Sequence, residues 1–279
     1  MQVLSAIREM RAACRGVRES GHSLGLVPTM GALHAGHISL VRAARAQSEF
    51  VAASIFVNPT QFGPNEDFAK YPRSFEQDCA LLGAEGVELV FAPQSEEMYA
   101  PGANTFVEVA GVGDRLDGAS RPGHFRGVAT IVAKLFHVVG PDKAFFGQKD
   151  AAQVAVLRSM VRDLNFDLEL VVCPIVREPD GLALSSRNRY LSESERRQAL
   201  VLSSALNVIE ATYHAGQKDV ARLLESGRSV LATEPELRLD YLEIVHWETL
   251  LPLSEARPGA LVVVAAYVGS TRLIDNTIL

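Results

Sequence analysis

The feature that most constrains this chain is an alternation, sustained to about Val176, between short apolar runs and segments with helical spacing. "SLGLVPTM", "FVAASIFVN" and "VELVFAP" read as strands, with "HISLVRAARAQS" and "FEQDCALLGAEG" as the helices between them. The rhythm continues through "VATIVAKLFHVVG" as helix, "KAFFG" as strand, "DAAQVAVLRSMVRDLN" as helix and "DLELVVCPIV" as strand. Strands that are apolar nearly throughout suit a parallel sheet covered on both faces, and right-handed crossovers make a doubly wound α/β sheet the economical assembly.

Past "LSSRNRYLS" the grammar changes. Ser192 and Glu195 form a capping-box pair that opens a long helix to about Tyr213, and another helix begins near Asp219. "LDYLEIV" and "ALVVVAAYVG" then read as strands of a small antiparallel α/β unit. The predicted domains are therefore 1–176, the larger, and 177–279, the smaller, joined by a short hinge. No internal repeat or low-complexity tract interrupts them.

Charge narrows the function classes. The 27 basic and 33 acidic residues leave a formal charge of −6, which removes the general electrostatic reason to bind nucleic acid or an anionic membrane. Any phosphate chemistry must be local. Cys14, Cys79 and Cys173 lie far apart without a CxxC pair, so neither zinc nor a disulfide framework is suggested, and buried, inert thiols are expected. The opening "MQVLSAIREM" lacks an apolar signal core and "ALVVVAAYVG" is too short to span a bilayer, so a cytoplasmic location is expected.

The stretch "VPTMGALHAGHISLVRAA" places Met30 to His37 at the carboxyl end of a strand and the amino end of a helix, where open α/β sheets bind ligands. Free backbone N–H groups and the helix dipole would favour a phosphate there, and Gly31 and Gly36 remove side chains that would block it. His34 and His37, at i and i+3, can both point at one ligand. The pattern is neither GK[ST] nor GxGxxG. Read alone, two such histidines serve equally as a polar helix start, and a metal would need a third ligand that the local sequence does not supply.

"PTMGALHAGH" resembles the first signature of the pantothenate synthetase family, itself similar to the HxGH motif of nucleotidyl-transferring enzymes. "SIFVNPTQFGPNEDFAKYPR", "DGASRPGHFRGV", "FFGQKDAAQ" and "DGLALSSRNRYLS" resemble that family's further blocks in the same order, with the likeness weaker between about Leu200 and Pro258. The resemblance implies a Rossmann-like amino-terminal domain, a smaller carboxyl-terminal lid domain and a homodimer. It implies that pantoate and ATP form pantoyl adenylate and pyrophosphate, after which β-alanine displaces AMP to give pantothenate.

It also implies roles for particular residues. His34, His37 and Lys149 would be catalytic, with His37 assigned a proton-donor part. ATP would contact Met30, Gly31, Ala32, Leu33, His34, Ala35, Gly36 and His37, then Gly147, Gln148, Lys149 and Asp150, the backbone of Val176, and Leu184, Ser185, Ser186 and Arg187. Gln61 and Gln153 would bind pantoate and β-alanine. The residue types suit this chemistry, because attack of a carboxylate on the α-phosphorus needs prepositioned positive charge and donors, and a hydroxy acid suits amides that donate and accept.

Mg²⁺ would accompany ATP, with Asp78 and Asp150 as candidate carboxylates, although Asp78 reads equally as an exposed helix acid and is left outside the predicted site. The breaker-rich "GPNEDFAKYPR" is predicted to be a mobile flap over residues 65–73, with a merely solvated loop as the alternative. Two other functions fit the fold. A transferase moving AMP onto a phosphorylated ligand would need more basic residues than "NPTQF" offers, and a non-catalytic nucleotide sensor would be expected to lack His37 or Lys149.

Overall fold

The computed structural model describes residues 1–64 and 66–279. Its contacts divide the chain into two compact units, Met1–Gly147 with Val156–Cys173, and Gln148–Ala155 with Pro174–Leu279. The segment Gln148–Ala155, which the sequence reading groups with the first domain, thus packs with the second.

In chain order the first unit contains β1 (Gln2–Leu4), α1 (Ile7–Glu19), β2 (Leu24–Thr29), α2 (Ala35–Gln47), β3 (Phe50–Ile55), α3 (Phe75–Ala84) and β4 (Leu89–Phe91). Then come the short α4 (Ser95–Met98) and α5 (Asp117–Ser120), followed by α6 (His124–Val139) and β5 (Lys143–Gly147). Helix α7 (Ala151–Asp163) is shared by the two units, and β6 (Glu169–Cys173) completes the sheet. The six strands are parallel in the order β1-β4-β3-β2-β5-β6.

Buried apolar strands drive this arrangement. Val27, Val51, Ala53, Val90 and Phe145 are buried in one cluster with Leu40, Val41 and Ala44 of α2. The strand order reverses between β2 and β5, so the crevice at a topological switch point opens past Thr29 and Gly147. Helix α6 is buried on nearly every side and ends at Gly140 in the left-handed conformation, which glycine adopts without steric cost.

The second unit holds α8 (Glu193–His214), α9 (Val220–Leu231) and the antiparallel strands β7 (Arg238–His246), β8 (Ala260–Val268) and β9 (Thr271–Ile278), in that order across the sheet. Ser192 and Glu195 make the capping box expected of them, and Asp219 caps α9 through the Arg222 N–H at 2.9 Å. Leu202, Leu206 and Ile209 of α8 pack with Leu223 of α9 and with Val262 and Val264 of β8.

Besides the short α4 and α5, three elements escaped the sequence pattern. β1 is three residues long and exists through its pairing with β4; α1 follows it; and β9 carries buried Asp275 and Asn276, whose polarity masks a strand. Cys14 and Cys173 are buried as expected, and burial pushes the Cys14 thiol up to about 11, whereas Cys79 is only half-buried. No helix among the described residues is long and apolar enough to cross a membrane.

Candidate active site

β2 delivers the chain into a loop in which Gly31 (φ 80°) and Ala32 (φ 51°) are both left-handed. At Gly31 a side chain is excluded twice over, because a Cβ would also lie 2.9 Å from Asp78 Oδ2 and 3.1 Å from the Ile55 side chain. Ala32 adopts the same region at a cost that its hydrogen bonds offset. Its N–H donates to Asp78 Oδ2 (2.9 Å), the Leu33 N–H donates to Asp78 Oδ1 (2.8 Å), and the Ser74 hydroxyl donates to the same oxygen (3.2 Å). Asp78 is 1% exposed. The alternative of an exposed helix acid is therefore overturned: both its oxygens are engaged in shaping the loop that leads to the histidines.

His34 is the N-cap of α2, and the histidines cap the helix themselves. The Gly36 N–H donates to His34 Nδ1 at 3.1 Å, and the His34 N–H donates to His37 Nδ1 at 3.3 Å. The rings lie 4.1 Å apart between centroids. Since each Nδ1 accepts, the proton of each neutral ring sits on Nε2. This corrects, for most of the residues concerned, the expectation of free backbone N–H groups at this strand end. Those of Ala32, Leu33, His34 and Gly36 are taken up internally, and the Gly31 N–H donates to Thr29 Oγ1 at 3.2 Å.

Gln61 ends a short 3-10 turn, Pro59–Gln61, after β3. Buried Asn58 donates to Gln61 Oε1 (3.1 Å) and to the Gly127 carbonyl (3.1 Å), while its own oxygen accepts from the Tyr99 hydroxyl (2.7 Å). With Oε1 so engaged, the Gln61 amide nitrogen faces Met30 Sδ at 3.0 Å, which brings Gln61 to the histidine loop. A Cβ on Gly127 would lie 2.3 Å from the Thr60 carbonyl oxygen, so only glycine lets α6 approach this turn.

From the other side His124 bonds the Gln61 carbonyl through Nδ1 (2.8 Å) and meets Arg121 Nη1 through Nε2 (2.9 Å). Arginine can only donate, so Nε2 accepts and Nδ1–H is the donor to Gln61. Burial, with the Arg121 charge beside it, lowers the His124 pKa to about 4. Arg121 also pairs with Glu66 at 2.6 Å. Of the predicted flap, Glu66 is thereby tied down, Tyr71 is buried, and Phe62 packs against Phe68 and Tyr71; Asn65 lies outside the described residues.

In the second unit Gln148–Asp150 form a 3-10 turn in which Lys149 Nζ sits 3.4 Å from Asp150 Oδ1, and half-buried Gln153 lies in the first turn of α7. The Leu184 N–H donates to the Val176 carbonyl (2.9 Å), closing a hairpin-like excursion. Ser185 then caps the 3-10 turn Ser186–Tyr190, accepting from the Arg187 N–H at 3.2 Å. Both 3-10 turns pack on β9. The first unit thus unites Met30–His37 with Gln61, and the second unites Gln148–Asp150 with the segment around Ser186. Among the described residues no three His, Cys, Asp or Glu side chains are grouped to hold a metal.

A family model described as pantoate-beta-alanine ligase matches residues 2–278. The chain belongs to that family. A pantothenate synthetase of Acidobacterium capsulatum is 65% identical, with 100% of this chain and 94% of the relative aligned. That of Koribacter versatilis is 62% identical over 100% of this chain and 96% of its own. The crystal structure of pantothenate synthetase from Thermus thermophilus has a TM-score of 0.94 at 51% identity, covering 99% of both chains. The Francisella tularensis pantoate-beta-alanine ligase, complexed with beta-gamma ATP and beta-alanine, has a TM-score of 0.81 at 32% identity, covering 100% of this chain and 97% of that one.

Within this pantoate-beta-alanine ligase fold, sequence reasoning missed Asn58, Arg121, His124 and Gly127 as supports of Gln61, and set Asp78 aside. Asn58 and Gly127 are separated by 69 positions in sequence, and Asp78 from Ala32 by 46. No local spacing signals such pairs. The one available hint was "RPGHFRG", a charged and glycine-rich entry to an otherwise apolar helix.

Proposed function

We propose that this chain is the ligase that condenses pantoate with β-alanine, consuming ATP and releasing AMP and pyrophosphate. The observation that carries the reading is a pair of imidazoles with defined tautomers at the switch point, beside an amide whose orientation Asn58 sets. A pantoate carboxylate oxygen attacks the α-phosphorus, the bond to pyrophosphate breaks, and pantoyl adenylate forms. The β-alanine amine then attacks the acyl carbon, AMP leaves, and the amine gives up a proton.

The catalytic need in the first step is to stabilise negative charge that gathers on phosphate oxygens. The Nε2–H groups of His34 and His37 answer it as neutral donors, and Lys149 adds a full positive charge for the polyphosphate. Gln148, Asp150, Val176 and Leu184–Arg187 complete the ATP contacts, with Gln61 and Gln153 on pantoate and β-alanine. Mg²⁺ enters with the nucleotide, carried chiefly by phosphate oxygens. Asp150 suits it as a carboxylate; Asp78, its oxygens filled by two N–H groups and a hydroxyl, does not. Residues 177–279 act as the lid that keeps water from the acyl adenylate. A homodimer and a cytoplasmic location belong to the same reading, supported by family membership.

The test is pyrophosphate and AMP release from Mg²⁺ and ATP, with pantoate alone and then with β-alanine, for wild type and His37→Ala. Pantoate alone should release pyrophosphate with little AMP, β-alanine should bring sustained AMP release, and His37→Ala should slow both by roughly 10²–10³-fold. Nucleotide binding without any pantoate-dependent pyrophosphate would refute the substrate assignment.

A further inference from the structure

We propose that Asn276 of β9 is a positioning residue for Lys149, fixing the backbone of the turn Gln148–Asp150 by its side-chain amide. Asn276 is 2% exposed and directs both ends of its amide at that one turn. Nδ2 donates to the Gln148 carbonyl (2.9 Å) and to the Lys149 carbonyl (3.0 Å), and Oδ1 accepts from Gln148 Nε2 (3.2 Å). A buried amide in mid-strand costs desolvation unless its donors and acceptor are met, and here the turn meets them.

Asn276 is itself held rigidly. Its backbone pairs with Val263 of β8, and its N–H donates to Asp275 Oδ1 at 2.8 Å. Asp275, also buried, receives both ends of the Arg177 guanidinium at 2.7 and 3.0 Å, and Arg177 reaches on to the Gly181 carbonyl at 3.1 Å. Two adjacent β9 residues thus pin both the Lys149 turn and the excursion that leads from Val176 to Leu184. The turn has only three residues, so a long flexible lysine depends on a fixed backbone for its reach. Asn276 touches no reacting atom; it acts through Lys149.

The inference rests on the proposed polyphosphate role of Lys149, and the experiment separates the two. Pantoate-dependent pyrophosphate release is measured against ATP concentration for wild type, Asn276→Asp, Lys149→Ala and the double variant, with the KM for β-alanine followed alongside. Asn276→Asp keeps size and burial but turns a carboxylate toward two carbonyl oxygens. It should lower kcat/KM for ATP by about tenfold or more, leave the β-alanine KM within about twofold, and add less than about twofold on a Lys149→Ala background. If Lys149→Ala releases pyrophosphate normally, the role given to Lys149 fails. If Lys149→Ala is impaired but Asn276→Asp is not, or the two losses multiply in full, Asn276 has no such function. Asn276→Ser, which shortens the side chain without adding charge, carries the same cycle should Asn276→Asp not fold.

Discussion

Asp78 shows how one side chain can build a site without being able to serve it. Its two oxygens accept from the Ala32 and Leu33 N–H groups and so brace the left-handed loop. Asp78→Asn would set an amide N–H2 against a backbone N–H, leaving a buried donor unpaired. We expect a loss of about 1–3 kcal/mol in urea unfolding, together with weaker ATP binding; unchanged stability would mean that the loop sustains itself. Gly147 is the complementary case. Nothing in the protein lies within 4 Å of where its Cβ would be, and its φ is not left-handed. On the proposed ATP contact, Gly147→Ala should therefore leave the urea midpoint unchanged while raising the KM for ATP.

Among elements, α6 does more than cover the sheet: its first turn supplies His124, and Gly127 lets it touch the Gln61 turn. The environment of His124, faced by Arg121, Glu66 and Asp117, has a pH signature. With a folded pKa near 4 against an unfolded value of 6.5, both states are neutral above pH 6.5; between 6.5 and 4 the unfolded chain takes up a proton that the folded site refuses. Stability should fall by up to about 3 kcal/mol as pH drops through that window. His124→Asn, which keeps a donor for the Gln61 carbonyl, should show a smaller difference in urea midpoint between pH 7.5 and pH 4.5 than wild type, and an equal difference would place the acid sensitivity elsewhere. Residues 66–73 are tied by Glu66 and Tyr71, so hydrogen exchange over them should slow when ATP and pantoate bind. Rapid exchange indifferent to ligands would sink the flap.

For the whole molecule, a net charge of −6 and a phosphate site confined to a few residues make recognition local rather than diffuse. ATP with pantoate, each at about 100 times its Kd, should raise the Tm by several degrees or more, since each ligand at that level stabilises the fold by about 2.7 kcal/mol; duplex DNA in the same melt should not shift it. Much of this architecture was legible beforehand. Parallel strands buried on both faces must be apolar throughout, so β2 to β6 announce themselves together with α2, α3, α6 and α7, as does the capped α8. The motif between Met30 and His37 likewise reads as a strand-end ligand loop from its glycines and paired histidines. What local pattern could not reveal are the groups whose partners lie far along the chain: the Asp78 bonds to the loop, the Asn58 bond that turns the Gln61 amide, the helix approach at Gly127, and the polar strand β9 with Asn276 on the Lys149 turn. Hydrophobic periodicity is a local property and determined the fold class by itself. Satisfaction of buried polar groups is a property of the folded chain, and it decided the orientation of the His34, His37 and Gln61 side chains and the backbone of the Lys149 turn.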